Sequence, residues 1–246
     1  MEIKNILVSQ PKPAERSQYW DLEKNFGVTL TFKPVIRVEV LSAKEFRQQK
    51  IFVPDYSAVV LTSRTAVDHF FTLCEELRAP ITEDMQYFCL SETIALYLQK
   101  YITYRKRKVH FSKTGVLSDL ALVMKKHNSE KFIMPVADVH KEDLSIFTKA
   151  KVNVTTAVMY RTVSAEISPE EIESYDMLCL FTPTGITSIY ENHPAYEQGD
   201  QKIAVFGPST LAAAQERGLR VDIEAPTMLC PSMPMALHKY LMDLSD

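Results

Sequence analysis

Glycine is scarce in this chain. Only 6 occur in 246 residues, and neither GxGxxG nor the Walker pattern is present. Phosphate-cradling loops need glycine for tight turns and close backbone approach, so neither a dinucleotide enzyme nor a P-loop enzyme is expected. Cysteine is as sparse. Cys74, Cys89, Cys179 and Cys230 share no close spacing. Two of them fall inside apolar runs, where a reduced thiol behaves as a small hydrophobe, and the expected setting is reducing and cytoplasmic. His69, His110, His127, His140, His193 and His238 show no ligand spacing and no HExxH accompanies them, so no metal is expected. No GxSxG-type turn offers a nucleophile. No apolar run approaches the length that spans a bilayer, and the opening MEIKNILVSQPKP reads as a strand and turn rather than a signal peptide. A formal net charge of -3 supplies no general attraction to nucleic acid or to a membrane surface.

With 46% hydrophobic residues the chain can bury a substantial core, and its length suits two domains of ordinary size. Residues 177–190 (MLCLFTPTGITSIY) and 202–216 (KIAVFGPSTLAAAQE) share one pattern. Each reads as a short apolar strand, a tight turn of Thr, Ser, Pro and Gly, then a helix. That order marks a parallel α/β unit. Residues 58–71 (AVVLTSRTAVDHFF) and 86–98 (QYFCLSETIALYL) repeat it, so the same architecture is expected twice.

In chain order, residues 4–9 form a first strand, 14–25 a helix that Gly27 ends, and 28–32 a second strand. After Pro34, residues 35–38 run extended and Ser42 opens a helix as N-cap. Strands are expected at 58–61, 87–90, 108–111 and 132–135, alternating with helices at 64–78, 92–100, 116–127 and 141–149. Residues 152–163 (VNVTTAVMYRTV) form a long β-branched segment, and 165–174 (AEISPEEIES) reads as an acidic linker. Strands at 177–181, 202–206 and 220–223 and a last helix over 232–244 follow. The opening βαβ unit is too small to cover its own sheet. Residues 1–37 and 162–246 are therefore expected to form one α/β domain, with residues 38–161 inserted as a second and the extended crossings paired as a two-stranded hinge.

The Thr/Ser turns are the strongest constellation: Thr62 with Ser63, Ser91 with Thr93, Thr182 with Thr184, and Ser209 with Thr210. Open α/β sheets bind ligands at the carboxyl ends of their strands, where these hydroxyls would join the unsatisfied N–H groups that open each following helix. The competing account is plain, since Ser and Thr are ordinary helix caps. Arg64, Arg161 and the run Tyr104-Arg105-Lys106-Arg107-Lys108 either form solvated surface or steer a polycarboxylate. Tyr160 either packs on its strand or donates a phenolic proton.

The series TSRTAVDHF, VMYRT, LFTPTG and VFGPSTLAAAQERG, then AP and a final helix, resembles uroporphyrinogen-III synthase over nearly the whole chain. The resemblance implies two flavodoxin-like parallel-sheet domains, one inserted in the other, and no cofactor. It implies a cyclisation of the linear tetrapyrrole hydroxymethylbilane, with loss of water and inversion of the last pyrrole through a spiro intermediate. Tyr160 then takes the place of a tyrosine that assists hydroxyl departure. Thr62, Ser63, Arg64, Ser91, Thr93, Thr182, Thr184, Gly185, Gly207, Ser209 and Thr210 fall in turns that hold the substrate. A monomer is expected, with its polycarboxylate substrate handed over by hydroxymethylbilane synthase. The chain departs from the family pattern at Gln10, where Arg is usual, and at Leu90, where Gly is common. The first change removes a carboxylate partner and the second reshapes its turn. The rival reading is a catalytically idle two-lobed homologue that closes on a small anion. A purely structural protein would leave the repeated hydroxyl edges unexplained.

Overall fold

Nearly every short apolar run becomes a parallel strand, because helices cover both faces of the sheets and no strand residue needs to be polar. The computed structural model describes residues 3–139 and 143–244. His140 and the first two residues of the helix expected over 141–149 lie outside them. The chain divides into two compact units, Met1–Arg37 with Val163–Asp246, and Val38–Thr162.

The first unit opens with β1 (Asn5–Val8), α1 (Tyr19–Phe26) and β2 (Thr29–Phe32), and the chain leaves it within β3 (Ile36–Val40). The second unit contains α2 (Ala43–Arg47), β4 (Ala58–Leu61), α3 (Arg64–Leu77), β5 (Gln86–Cys89), α4 (Glu92–Tyr97), β6 (Val109–Phe111), α5 (Leu117–Lys125), β7 (Phe132–Ala137) and α6 (Ser145–Ala150). The chain returns within β8 (Val154–Ser164). Then α7 (Pro169–Glu173), β9 (Met177–Leu180), α8 (Pro183–Asn192), β10 (Lys202–Phe206), α9 (Pro208–Glu216), β11 (Ile223–Ala225) and α10 (Met233–Asp243) complete the first unit.

The first sheet runs β11-β10-β9-β1-β2 with parallel neighbours throughout. The second runs β3-β8-β7-β4-β5-β6, parallel from β8 to β6. Its β3 edge is antiparallel: Leu41 N–H donates to the Met159 carbonyl and Ala165 N–H to the Val35 carbonyl, so partner numbers rise on β8 as they fall along β3. The paired crossing strands are thus continuous with the second sheet. Side chains alternate between two cores, as a strand's two-residue period requires. Val59 and Leu61 enter one with Phe70 of α3, while Val60 and Phe88 enter the other with Phe132. In the first unit Ile6 and Cys179 face one core, and Leu7 and Leu178 the other.

Several elements differ from the sequence expectation, α6 among them, which begins at Ser145. The α1 helix begins at Tyr19 rather than residue 14, because its first buried anchors are Tyr19 and Leu22 and residues 14–17 bring no apolar side chain to the core. The supposed acidic linker holds α7, capped by Ser168 Oγ accepting from Glu171 N–H and anchored by buried Ile172. Its S-P-E-E start is helix-opening chemistry. The last strand pairs from Ile223, opposite Ala204, since Asp222 turns back to accept from Ile203 N–H. Finally, α4 ends at Tyr97 and tightens into a 3₁₀ turn over Leu98–Lys100.

At α2, Ser42 and Glu45 form a reciprocal capping box, and Arg161 binds Glu39 and Glu45 at 2.9 and 2.7 Å. Hydrogen bonds from Ser42 and then Arg161 hold the Glu45 carboxyl down from its ordinary 4.5 to about 2. A depressed acid contributes stability above its unfolded value and loses it as pH falls through the folded one. Unfolding midpoints measured between pH 4.5 and 2 should therefore fall more steeply in the native chain than in Glu45→Gln. High salt should shrink the difference, because the pair is solvent-facing.

Candidate functional site

In the second unit, β4 and β5 pair with Leu61 beside Cys89, which makes their following turns neighbours at the carboxyl edge. Ser63 Oγ accepts from Ala66 N–H at 3.0 Å and Ser91 Oγ from Ile94 N–H at 3.4 Å. Both are helix caps, and a hydroxyl that accepts still carries a proton it can donate. Thr62 is half-buried in the first turn and Thr93 is exposed on α4. Arg64 is exposed at the first position of α3, its guanidinium carbon 5.2 Å from the Tyr97 ring centre.

The Tyr97 ring is itself held. Its hydroxyl donates to the Asp68 carboxylate at 3.0 Å, and Asp68 also accepts from Lys100 at 2.9 Å and from Tyr101. Burial pushes the Asp68 carboxyl up, but these hydrogen bonds outweigh it and keep the group below the usual carboxylate range. One anchored carboxylate thereby ties α3 to the segment around Tyr97 and Tyr101.

Tyr160, on β8, is half-buried. It packs against the core that also contains Met159 and residues of α3, and its ring stacks on His69, with centres 5.1 Å apart and planes at 28°.

In the first unit, β9 and β10 pair with Leu180 beside Val205, and their turns are again adjacent. Thr182 Oγ1 caps α8 by accepting from Gly185 N–H at 3.0 Å. A Cβ at Gly185 would come within 3.3 Å of that oxygen, so glycine keeps the cap tight. Thr184 is half-buried within α8.

The GPST turn differs in kind. Gly207 occupies the N-cap position at φ 88° and ψ 152°, and no side chain caps α9. That backbone region is open essentially to glycine alone. Pro208 has no N–H, so the opening donors of α9 come from Ser209 and Thr210. Ser209 is exposed, whereas Thr210 is 1% exposed and its Oγ1 is buried with no hydrogen-bond partner among the described residues. A buried hydroxyl left unpaired costs on the order of 1 kcal/mol or more. Thr210→Val should accordingly stabilise the free protein by about 1 kcal/mol in chemical denaturation. A loss of stability would mean that the hydroxyl is already partnered.

The sequence reading missed several neighbours. Phe181 directly follows β9, Phe206 ends β10, and their rings stack at 5.8 Å. Their identical placement before two turns, LFTPTG and VFGPST, was a usable signal. Asp68 and His69 carried none, because their partners lie on other elements. A groove of about 570 Å³ runs along α1 and α10 past Leu22, Pro234, Met235 and His238 and contains none of the turn residues. Burial pushes the Cys74 and Cys89 thiols up to about 12, which removes them as nucleophiles at neutral pH. Among the described residues no three His, Cys, Asp or Glu gather as a metal set, and no helix is long and apolar enough to cross a membrane.

The family model described as Uroporphyrinogen-III synthase HemD matches residues 18–233. Among solved structures, uroporphyrinogen-III synthetase from Helicobacter pylori is similar at 14% identity and TM-score 0.52, covering 99% of this chain and 99% of that one. A mutant uroporphyrinogen III synthase from the extremely thermophilic bacterium Thermus thermophilus is similar at 15% identity and TM-score 0.44, covering 98% of this chain and 99% of that one. No curated protein matches.

Proposed function

This chain belongs to the uroporphyrinogen-III synthase family, and on that premise we propose how its residues close hydroxymethylbilane with loss of water and inversion of the last pyrrole. The observation that carries the proposal is the opening of α9. There Gly207 leaves the helix uncapped and Thr210 holds a buried hydroxyl without a partner among the described residues, a combination suited to a ligand carboxylate. Gly185 and the hydroxyls of Thr182 and Thr184 give the neighbouring turn a similar character. On the second unit Thr62, Ser63, Arg64, Ser91 and Thr93 supply further donors for a polycarboxylate.

Tyr160 is assigned the acid role. A phenol holds its proton at neutral pH and can pass it to the departing hydroxyl, which leaves as water and generates an azafulvenium cation. The substituted α carbon of the last pyrrole attacks this cation to form the spiro intermediate. Its bond to the original bridging methylene then breaks to give a second azafulvenium, and the free α carbon of the same pyrrole attacks that methylene and releases one proton, which restores the phenol. Protons balance and no electrons are exchanged, so the chemistry calls for no redox cofactor. The bilane closes unaided to the uninverted isomer, and the enzyme's particular contribution is then to fix which carbon attacks.

We further place the enzyme in the cytoplasm as a monomer that receives its substrate from hydroxymethylbilane synthase. The four free, buried cysteines suit a reducing compartment. The test is to supply hydroxymethylbilane, oxidise the products and separate the porphyrin isomers. Inverted isomer formed faster than spontaneous closure supports the assignment. Uninverted isomer alone, at the spontaneous rate, overturns it and leaves an idle homologue that binds anions.

A further inference from the structure

The β7–β8 pairing is regular up to Val136 opposite Val158, after which Ala137 lies opposite Tyr160. Met159 is therefore an extra residue, a β-bulge. In a regular strand successive side chains point to opposite faces. Here Val158 packs into one core, whereas Met159 and Tyr160, though consecutive, both pack into the other. A bulge bends its strand and re-aims a side chain in this way. Hydrogen bonds hold it on both sides, with Leu41 N–H donating to the Met159 carbonyl at 2.9 Å and Asp138 N–H to the Tyr160 carbonyl at 3.0 Å.

The face onto which the bulge turns Tyr160 is that of α3, where His69 stacks on its ring at 5.1 Å. This helix is a fixed support. Val67 and Phe70 are buried on either side of His69, and Asp68 is tied to Tyr97, Lys100 and Tyr101. Burial pushes the His69 imidazole below its ordinary 6.5 against the opposing pull of Asp68, so the ring is uncharged near neutral pH and presents a flat π face.

We propose that His69 is a positioning residue for the reaction, fixing by ring stacking the orientation into which the bulge turns the Tyr160 phenol. The proposal rests on the assignment of Tyr160 as the acid. Proton transfer needs its donor held within hydrogen-bond reach and angle of the leaving oxygen, and a phenol stacked on one side has fewer orientations to lose on the way to the transition state.

The test compares His69→Ala, His69→Phe and Tyr160→Phe in the full-length enzyme. Initial rates, isomer ratio and thermal unfolding are measured, together with ring resonances of ¹³C-tyrosine-labelled protein in which Tyr160→Phe identifies the Tyr160 signal. Stacked aromatic pairs are worth enough for His69→Ala to lower kcat by about 10-fold. KM should stay within about twofold, since His69 is assigned no contact with substrate. The Tyr160 resonance should shift and the uninverted isomer should rise. His69→Phe keeps the stack and should restore most of the rate.

A folded His69→Ala with native kcat and isomer ratio, beside an impaired Tyr160→Phe, overturns the positioning role alone. A fully active Tyr160→Phe overturns the assignment of Tyr160 and the role of His69 with it. If His69→Ala does not fold, His69→Phe decides: retained rate supports stacking, and a folded but slow variant overturns it.

Discussion

Tyr160→Phe should lower the rate of forming the inverted isomer by roughly 10- to 10,000-fold and leave the fold intact. The ring and its stack on His69 remain, so the change in stability should stay within about 1.5 kcal/mol, the worth of one hydrogen bond. What disappears is the proton. The upper end of the range is the usual reach of general acid catalysis, and the lower end allows a water molecule to take the phenol's place. Unaided closure then competes, and the product mixture moves towards the uninverted isomer. Rates and isomer ratios measured beside a thermal melt separate the chemical effect from an effect on folding. A folded variant with native rate and ratio would leave Tyr160 as packing and give the work of geometry to the turns.

The second large effect is on stability. Phe88→Ala should cost about 3–5 kcal/mol, the usual range for deleting a fully buried aromatic ring. Phe88 lies in β5 with no exposure. Its ring stacks on His110 at 4.7 Å and meets His127 and Phe132 edge-on at 5.3 and 5.1 Å, so neighbours from separate parts of the unit would line the cavity left behind. Because whole domains are stable by only about 5–15 kcal/mol, the urea midpoint should fall sharply. Phe52→Ala is the control. That ring is 60% exposed, and its loss should move the midpoint little. Equal shifts for the two variants would mean that the core face of β5 is not packed as described.

The fold class was legible because parallel strands are buried on both faces, and all four residues of β4 and of β9 are buried and apolar. Runs that short, each closed by Thr or Ser, leave little choice of architecture. The α7 helix escapes a reading by charge alone, since its glutamates form the first turn of a helix opened by Ser168 and Pro169. For the candidate site, the position of each hydroxyl along its turn was visible, but its use was not. In TSR, LSE and FTPTG the Ser or Thr itself is the cap, whereas in FGPST glycine takes that place and moves Ser209 and Thr210 into the helix. The bulge at Met159 leaves no mark in the sequence, since an inserted residue in a β-branched run resembles its neighbours. Only a register across two strands reveals it, and with it the approach of Tyr160 to His69.

The register of β1 with β9 governs how the chain can mature during synthesis. Ile6 lies beside Met177, a separation of 177 − 6 = 171 residues, and β1 is flanked by β2 and β9 in its sheet. At ribosomal rates of roughly 5–20 residues per second, β1 waits on the order of 10–30 s before its second neighbour emerges. Meanwhile β4 to β7 come out contiguously and can pair within themselves, and pairing between near neighbours in sequence is also the faster process. Residues made before the second unit are thus completed in their sheet only after that unit has emerged. Through that interval the apolar segment Ile6-Leu7-Val8 has one open edge, the hazard that chaperones exist to cover.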